Sequence, residues 1–370
     1  MFRLQRSLIE GLDDDKPDIE DIRAALQSAI ELEHSTIPLY LYAMYSLDAE
    51  LNSQIVAILR SVVVEEMLHM VLAANVLNAI GGRPQLAGPS FYPHFPGQLP
   101  GGVDGQLQLH LRKFSFDQLS VFIALEEPRD PIAGLSPLGP DSSSCTIGEF
   151  YQAIEAAIAQ MGSEAFGHSD GRQIGPDLVF GSVLVHDLSS AIEAINTIIE
   201  QGEGTTASPQ EIDGPGGIND FAHHYRLSEV LLGRRLIFRE IDGVSRYDYL
   251  GEPIILDHDG IFDLPDDPRA QNYDEGSDER LAIDGFNYFY TTLLNSLHNL
   301  INGISTGASF LNSLGHMSEL DRRAREMARG ATTRGRCIGP TFEYQPMNPV
   351  AMLARGIQTL DVEDDNELEI

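Results

Sequence analysis

Residues 61–81 read SVVVEEMLHMVLAANVLNAIG. The run is long, apolar and free of proline, and the Gly81-Gly82 pair stops it, which predicts a single helix. Glu66 and His69 lie inside it three positions apart, so a carboxylate and an imidazole share one helix face. Val62, Ala73 and Val76 fall near the same face, which points the pair inward. A buried carboxylate is costly unless its charge is compensated. A metal ion compensates it, and Glu-x-x-His is the unit that helix bundles use for di-iron and di-manganese carboxylate sites. By itself the motif is weak, because Glu and His are common helix residues. Its weight depends on acids and histidines in neighbouring segments.

The preceding segment supplies one. A helical pattern opens at Pro17 and Asp18, carries acids at Glu20 and Asp21, and runs to about Leu47. Pro38 falls inside it and predicts a kink. Glu33 has Ile30, Ile37 and Tyr40 at helical offsets and so lies on an apolar face, whereas Glu31 shares a face with Ser28 and Ser35. A short break over residues 48–52 makes the two helices antiparallel. Glu33 and Glu66 lie at similar distances from that break and should be level. Glu33, Glu66 and His69 then form a half-site of oxygen and nitrogen donors suited to iron or manganese. Tyr40, on the side of Glu33, is either a core aromatic or a hydrogen-bonding or redox-active catalytic neighbour of the metal.

Downstream, residues 82–145 are rich in Pro and Gly and read as an insertion between two helix pairs, with LQLHLRKFS as a short strand and FDQLSVFIALEEP as a short helix. His94 and His110 read as surface residues. Thr146-x-x-Glu149 is a capping-box pattern that opens another helix. The third and fourth core helices are expected over about 184–202 and 219–240, with a long Gly/Pro/Ser/Thr loop between them. Here Asp220-x-x-His223 echoes the first motif, and Glu200 at the end of the third helix should face it. Glu203 is the alternative to Glu200, Asp220 could equally be a helix cap, and His224 and Glu229 fall on other faces. The acidic loop over 241–283 lacks the ligand order of a calcium loop. Two amphipathic segments over 283–329 are expected to pack outside the bundle, and 351–370 reads as a solvated acidic tail.

The chain has 370 residues and a formal net charge of -32, which argues against nucleic acid and anionic membranes as partners. Cys145 and Cys337 are too few for a disulfide framework. No secretory signal and no apolar run of membrane-spanning length is visible, so a soluble cytoplasmic protein is expected. Neither a phosphate-binding Gly-rich loop nor a nucleophile elbow is present.

Several stretches together, IELEHSTIPLYLYAMYSL, EEMLHMVLAANVLNAIGG, YPHFPGQLPGGV, TIGEFYQAI, IIEQGEG and HHYRLSEV, resemble the ferritin-like domain of the iminophenyl-pyruvate dimer synthase family. That family belongs to the violacein, rebeccamycin and staurosporine pathways. The resemblance covers about residues 18–350. It implies a mainly α, ferritin-like four-helix bundle with the Pro/Gly-rich insertion and extra C-terminal helices. It implies a metal centre held by Glu33, Glu66, His69, Glu200, Asp220 and His223, with Asp220 standing where the family usually has Glu. The expected cofactor is two iron ions or a mixed iron/manganese pair. The expected function is oxidation or oxygenation of a small amino-acid- or indole-derived metabolite, with oxygen as co-substrate, in a homo-oligomer or beside a partner pathway enzyme. The alternatives are a non-catalytic iron-binding protein and a metal-free scaffold.

Overall fold

The computed structural model describes residues 9, 11–12, 17–100, 108–128, 145–166, 172–204, 208–209, 220–241, 244–331 and 335–346. The chain is built around two long helices, α1 (Ile19–Tyr45) and α2 (Ser53–Ala79). Asp18 caps α1 by accepting the Glu20 N–H, with Glu20 and Asp21 in the first turn, and the helix runs unbroken through Pro38. The two helices are antiparallel. Near one end Arg23 of α1 reaches the Ile80 carbonyl at 2.6 and 3.1 Å, and in the middle Thr36 faces Glu66. From Leu68 to Ile80 every residue of α2 and its C-cap is buried. A helix that is apolar nearly all round belongs in the middle of a fold, and α2 touches α1 and two of the later helices.

Those later elements are α3 (Phe116–Leu125), α4 (Ile147–Met161), α5 (Leu188–Gly202) and α6 (His223–Leu232). The first of these packs on α6, α4 packs on α5, α2 meets α5 and α6, and α1 meets α4. The ends of α3 and α5 and the starts of α4 and α6 thus converge on the middle of the α1–α2 pair. Two outer helices, α7 (Asp278–Ile301) and α8 (Gly307–Ala328), pack on each other, and α8 also meets α1. His34 of α1 bonds Tyr290 of α7 at 2.6 Å and stacks on Phe91. The segment after α8 folds back over α7, where Thr341 accepts from Asn287 and Phe342 is fully buried. The acidic tail expected over 351–370 lies outside the described residues. No described helix is long and apolar enough to cross a membrane.

Three local expectations change. The fourth core helix, expected over 219–240, begins only at His223 and stops at Leu232, because Gly233 takes the left-handed conformation (φ 67°) that ends a helix. The following Ile237–Ile241, β-branched and aromatic, forms strand β1 and pairs antiparallel with β2 (Val244–Asp248). The strand expected in LQLHLRKFS is reduced to a single bridge between Gly97 and Leu109, with Leu109 and Leu111 turned into the core. The third core helix starts at Leu188, where Asp187 and Ser190 form a reciprocal cap.

The capping box anticipated at α4 is present: Thr146 Oγ1 accepts from the Glu149 N–H, and the Glu149 carboxylate accepts from the Thr146 N–H. Thr146→Ala removes one of these bonds and should lower folding stability by about 1 kcal/mol. Urea denaturation reads this as an earlier midpoint at constant slope, and an unchanged midpoint would show that the cap is idle.

Candidate metal centre

The helical spacing brings Glu33, Glu66 and His69 together as anticipated. One oxygen or nitrogen atom from each lies within 4.8 Å of the others, and all three residues are buried. His69 Nδ1 is 3.6 Å from Glu33 Oε2 and 4.0 Å from Glu66 Oε1. A second group, Glu66, Glu126 and His223, meets the same distance limit and is equally buried. His223 Nδ1 is 2.9 Å from Glu66 Oε1 and 3.6 Å from Glu126 Oε2. Glu66 belongs to both groups. The two imidazoles stack with their centroids 5.3 Å apart.

Each donor is held from behind. Tyr151 donates to Glu33 Oε1 at 2.6 Å, and Tyr40 donates to Glu126 Oε1. The Thr36 hydroxyl lies 2.9 Å from Glu66 Oε2. His69 Nε2 donates to Gln201 Oε1 at 2.9 Å, and His223 Nε2 donates to Glu65 Oε2 at 2.8 Å. With both Nε2 atoms engaged as donors, the neutral imidazoles turn their Nδ1 lone pairs inward. Beside His69 lies a cavity of about 20 Å³, room for roughly one water. Glu33, Glu66, His69, Glu126, Tyr151 and Glu203 are among the residues that line it.

The electrostatics show what this arrangement lacks. Burial and the neighbouring Glu126 push the Glu66 carboxyl up to about 8. Burial also works against ionising Glu33, but the hydrogen bond and charge of His69 outweigh it and hold Glu33 below its ordinary value. Burial opposes charge on His69, yet Glu33 and Glu66 raise it. The same contest at His223 ends well above the ordinary value because Glu126, Glu65 and Glu66 surround it. Burial and Glu126 raise Tyr40, and burial and Glu33 raise Tyr151, so both phenols keep their protons. Three carboxylates thus crowd one pocket, and the raised Glu66 and His223 answer that repulsion by holding protons.

A cation fits this donor set better than protons do. His223 Nδ1 is buried between two carboxylates, and among the described residues none meets it in good hydrogen-bond geometry. Glu126 is the C-cap of α3, where the helix dipole disfavours a negative charge. An ion about 2.0–2.2 Å from two donors holds them at most about 4.4 Å apart, and the imidazole–carboxylate separations of 3.6 and 4.0 Å at His69 and 2.9 and 3.6 Å at His223 fall inside that span.

Residues 26–232 match the ferritin-like family model. The chain belongs to the ferritin-like family. A ferritin-like protein from Caulobacter vibrioides has a similar structure, with a TM-score of 0.55 over 86% of this chain and 97% of that one, at 19% sequence identity. No curated protein matches the chain. The ferritin-like fold is compatible with a di-metal protein, and the carboxylate and imidazole groups above are placed where such a chain could bind ions.

Of the residues singled out from the sequence, Glu33, Glu66, His69 and His223 converge and Tyr40 touches the centre through Glu126. Glu200 and Asp220 are in neither donor group. Asp220 precedes α6, so it has no helical register with His223. Its half-exposed side chain instead lies 3.7 Å from Arg226 and accepts the Phe221 N–H. Glu200 is half-buried and does not line the cavity, whereas Glu203, three positions on at the C-cap of α5, does. Glu203 Oε1 accepts from the Gly148 N–H at 2.7 Å, and burial raises its carboxyl to about 7. A Cβ on Gly148 would sit 2.6 Å from Glu203 Oε2, so glycine leaves room for that carboxyl. His224 turns away to the Ile123 carbonyl, and Glu229 binds Arg235 and the Leu236 N–H.

The sequence reading missed Glu126 as a donor. Leu119, Phe122 and Ile123 stand seven, four and three positions before it, which are the offsets that mark an apolar helix face. Tyr151, Gln201 and Glu65 also have apolar residues at helical offsets, but their roles behind the donors depend on which helices meet.

The protons held at Glu66 and His223 compete with a metal. Their raised values mean these protons are still bound near neutrality and must leave when an ion enters. The apparent affinity for Mn²⁺ should therefore rise with pH up to at least about 8, by roughly tenfold per pH unit for each proton displaced. Calorimetry at several pH values, in buffers of differing ionisation heat, measures both the slope and the proton release. A flat affinity without proton release would contradict the assignment.

Proposed function

We propose that this ferritin-like chain is a di-metal protein, with iron as the first expectation. In this reading it oxidises or oxygenates a small amino-acid- or indole-derived metabolite, like the iminophenyl-pyruvate dimer synthase family that it resembles. The observation that carries the reading is the Glu66 carboxylate shared by two buried donor groups of the same composition. Two bound ferrous ions would supply the electrons that reduce dioxygen. Glu33, Glu66 and His69 would hold one ion, and Glu66, Glu126 and His223 the other.

The chain's own residues have separable tasks. Tyr151 and Tyr40 orient the outer carboxylates, and Thr36 orients the shared one. Gln201 and Glu65 fix the imidazoles with Nδ1 inward. Leu125, Ile147, Ile198 and Ile199 give the cavity apolar walls that limit water. Glu203, with its carboxyl near 7, can take up or release a proton at the cavity wall near neutral pH. The cavity itself accommodates only a molecule of about the size of water or oxygen. A metabolite would donate its electrons from outside this wall or displace part of it.

The cavity size also favours a second reading, iron binding and oxidation without an organic substrate. Protein purified without added metal, and a Glu66→Ala control, should be assayed for metal content and for oxygen uptake after anaerobic ferrous loading. The first reading expects about two ions per chain, lost in the control, and oxygen uptake accelerated by the imine of indole-pyruvate. Uptake that stops once the iron is oxidised and ignores the imine would favour iron handling. Unchanged metal content in a folded Glu66→Ala protein would overturn both.

A further inference from the structure

The two donor groups have the same composition, two carboxylates and one imidazole, with Glu66 in common. They differ in what stands behind the imidazole. His69 gives its Nε2 proton to the neutral amide oxygen of Gln201, whose own Nε2 is buried without a partner among the described residues. His223 gives its Nε2 proton to the carboxylate of Glu65. That carboxylate is clamped by Arg226, which is only 2% exposed and whose guanidinium also donates to Ser61 Oγ at 2.8 Å. An arginine is so deeply buried only where its charge is matched, and here Glu65 matches it. The clamp fixes Glu65 in place, and Glu65 fixes the tautomer and plane of His223. Among the described residues Gln201 has no such anchor on its amide nitrogen.

A carboxylate accepting the outer imidazole proton raises the basicity of the inner nitrogen more than an amide does, and such outer partners typically change metal affinity by about 10–100-fold. We propose that Glu65, held by Arg226, is a positioning residue that makes the His223 side of the centre the tighter of two unequal metal positions, so that the centre fills in a fixed order. Glu66, Glu126 and His223 would hold the first ion, and Glu66, fixed by that group, would then complete the second position with Glu33 and His69. The inference rests on the di-metal reading above, and the following test separates the two.

Crystals of the full chain given one equivalent of Mn²⁺ without oxygen should show anomalous density chiefly beside His223, with at least about tenfold lower occupancy beside His69. In Glu65→Gln both imidazoles face amide oxygens. Occupancy should then even out and the first dissociation constant should weaken about 10–100-fold, while two ions still bind at saturation. Gln201→Glu should move occupancy toward His69. It is also the deciding variant if Glu65→Gln does not fold, since it leaves the Arg226–Glu65 pair intact. Even occupancy in the unmodified chain, density chiefly beside His69, or no response to either substitution would overturn the inference while leaving a two-ion centre in place. No manganese at saturating concentration would overturn the di-metal reading as well.

Discussion

Mutual repulsion of three carboxylates in one buried pocket is the constraint to which the rest of the structure answers. Glu33, Glu66 and Glu126 come from three different helices and are each at most 5% exposed. Inside a protein such charges are expensive unless something of opposite sign lies between them. The two inward imidazoles, the phenols of Tyr40 and Tyr151 and the Thr36 hydroxyl each remove part of that cost. None of them removes all of it, as the raised carboxyl of Glu66 shows. A cluster assembled at this expense, and held so firmly from outside, is the mark of a site rather than of a core.

The helix order explains how six elements reach one point. Antiparallel α1 and α2 set Glu33 level with Glu66 in mid-helix, where backbone geometry is most rigid. The other contributions come from helix ends: Glu126 closes α3, Gly148 and Tyr151 belong to the first turns of α4, Gln201 and Glu203 close α5, and His223 opens α6. A rigid pair of long helices thus provides the shared carboxylate, and four shorter helices deliver the remaining groups from their ends. The outer α7–α8 pair covers the opposite side of α1 through His34 and Tyr290, and contributes none of the groups described at the centre.

What was legible in the sequence follows the same division. Glu33, Glu66 and His69 sit inside long periodic helices, so spacing alone placed them on one face and at one level. His223 is legible in its motif, whereas Asp220, named with it, falls outside both donor groups because the motif presumes a helix that begins three residues before His223, the residue at which α6 starts. Glu126 has visible apolar offsets, but the short helix before Pro128 lies in a Pro/Gly-rich stretch whose composition marks an insertion and not a core helix. Glu200 and Glu203 could not be separated from spacing alone, since the choice depends on how the end of α5 meets the start of α4. Helix ends, capping residues and the partners behind each donor are set by tertiary packing, and periodicity carries little information about them.

The central claim is that Glu66 joins two metal positions in one centre. X-ray absorption fine structure of the iron-loaded protein tests it most directly. The account predicts an iron–iron vector of roughly the 3.5–4 Å at which two-metal sites hold their ions, and its disappearance in Glu66→Ala. Iron bound without any such vector would contradict it, because the two donor groups would then not act as a single centre.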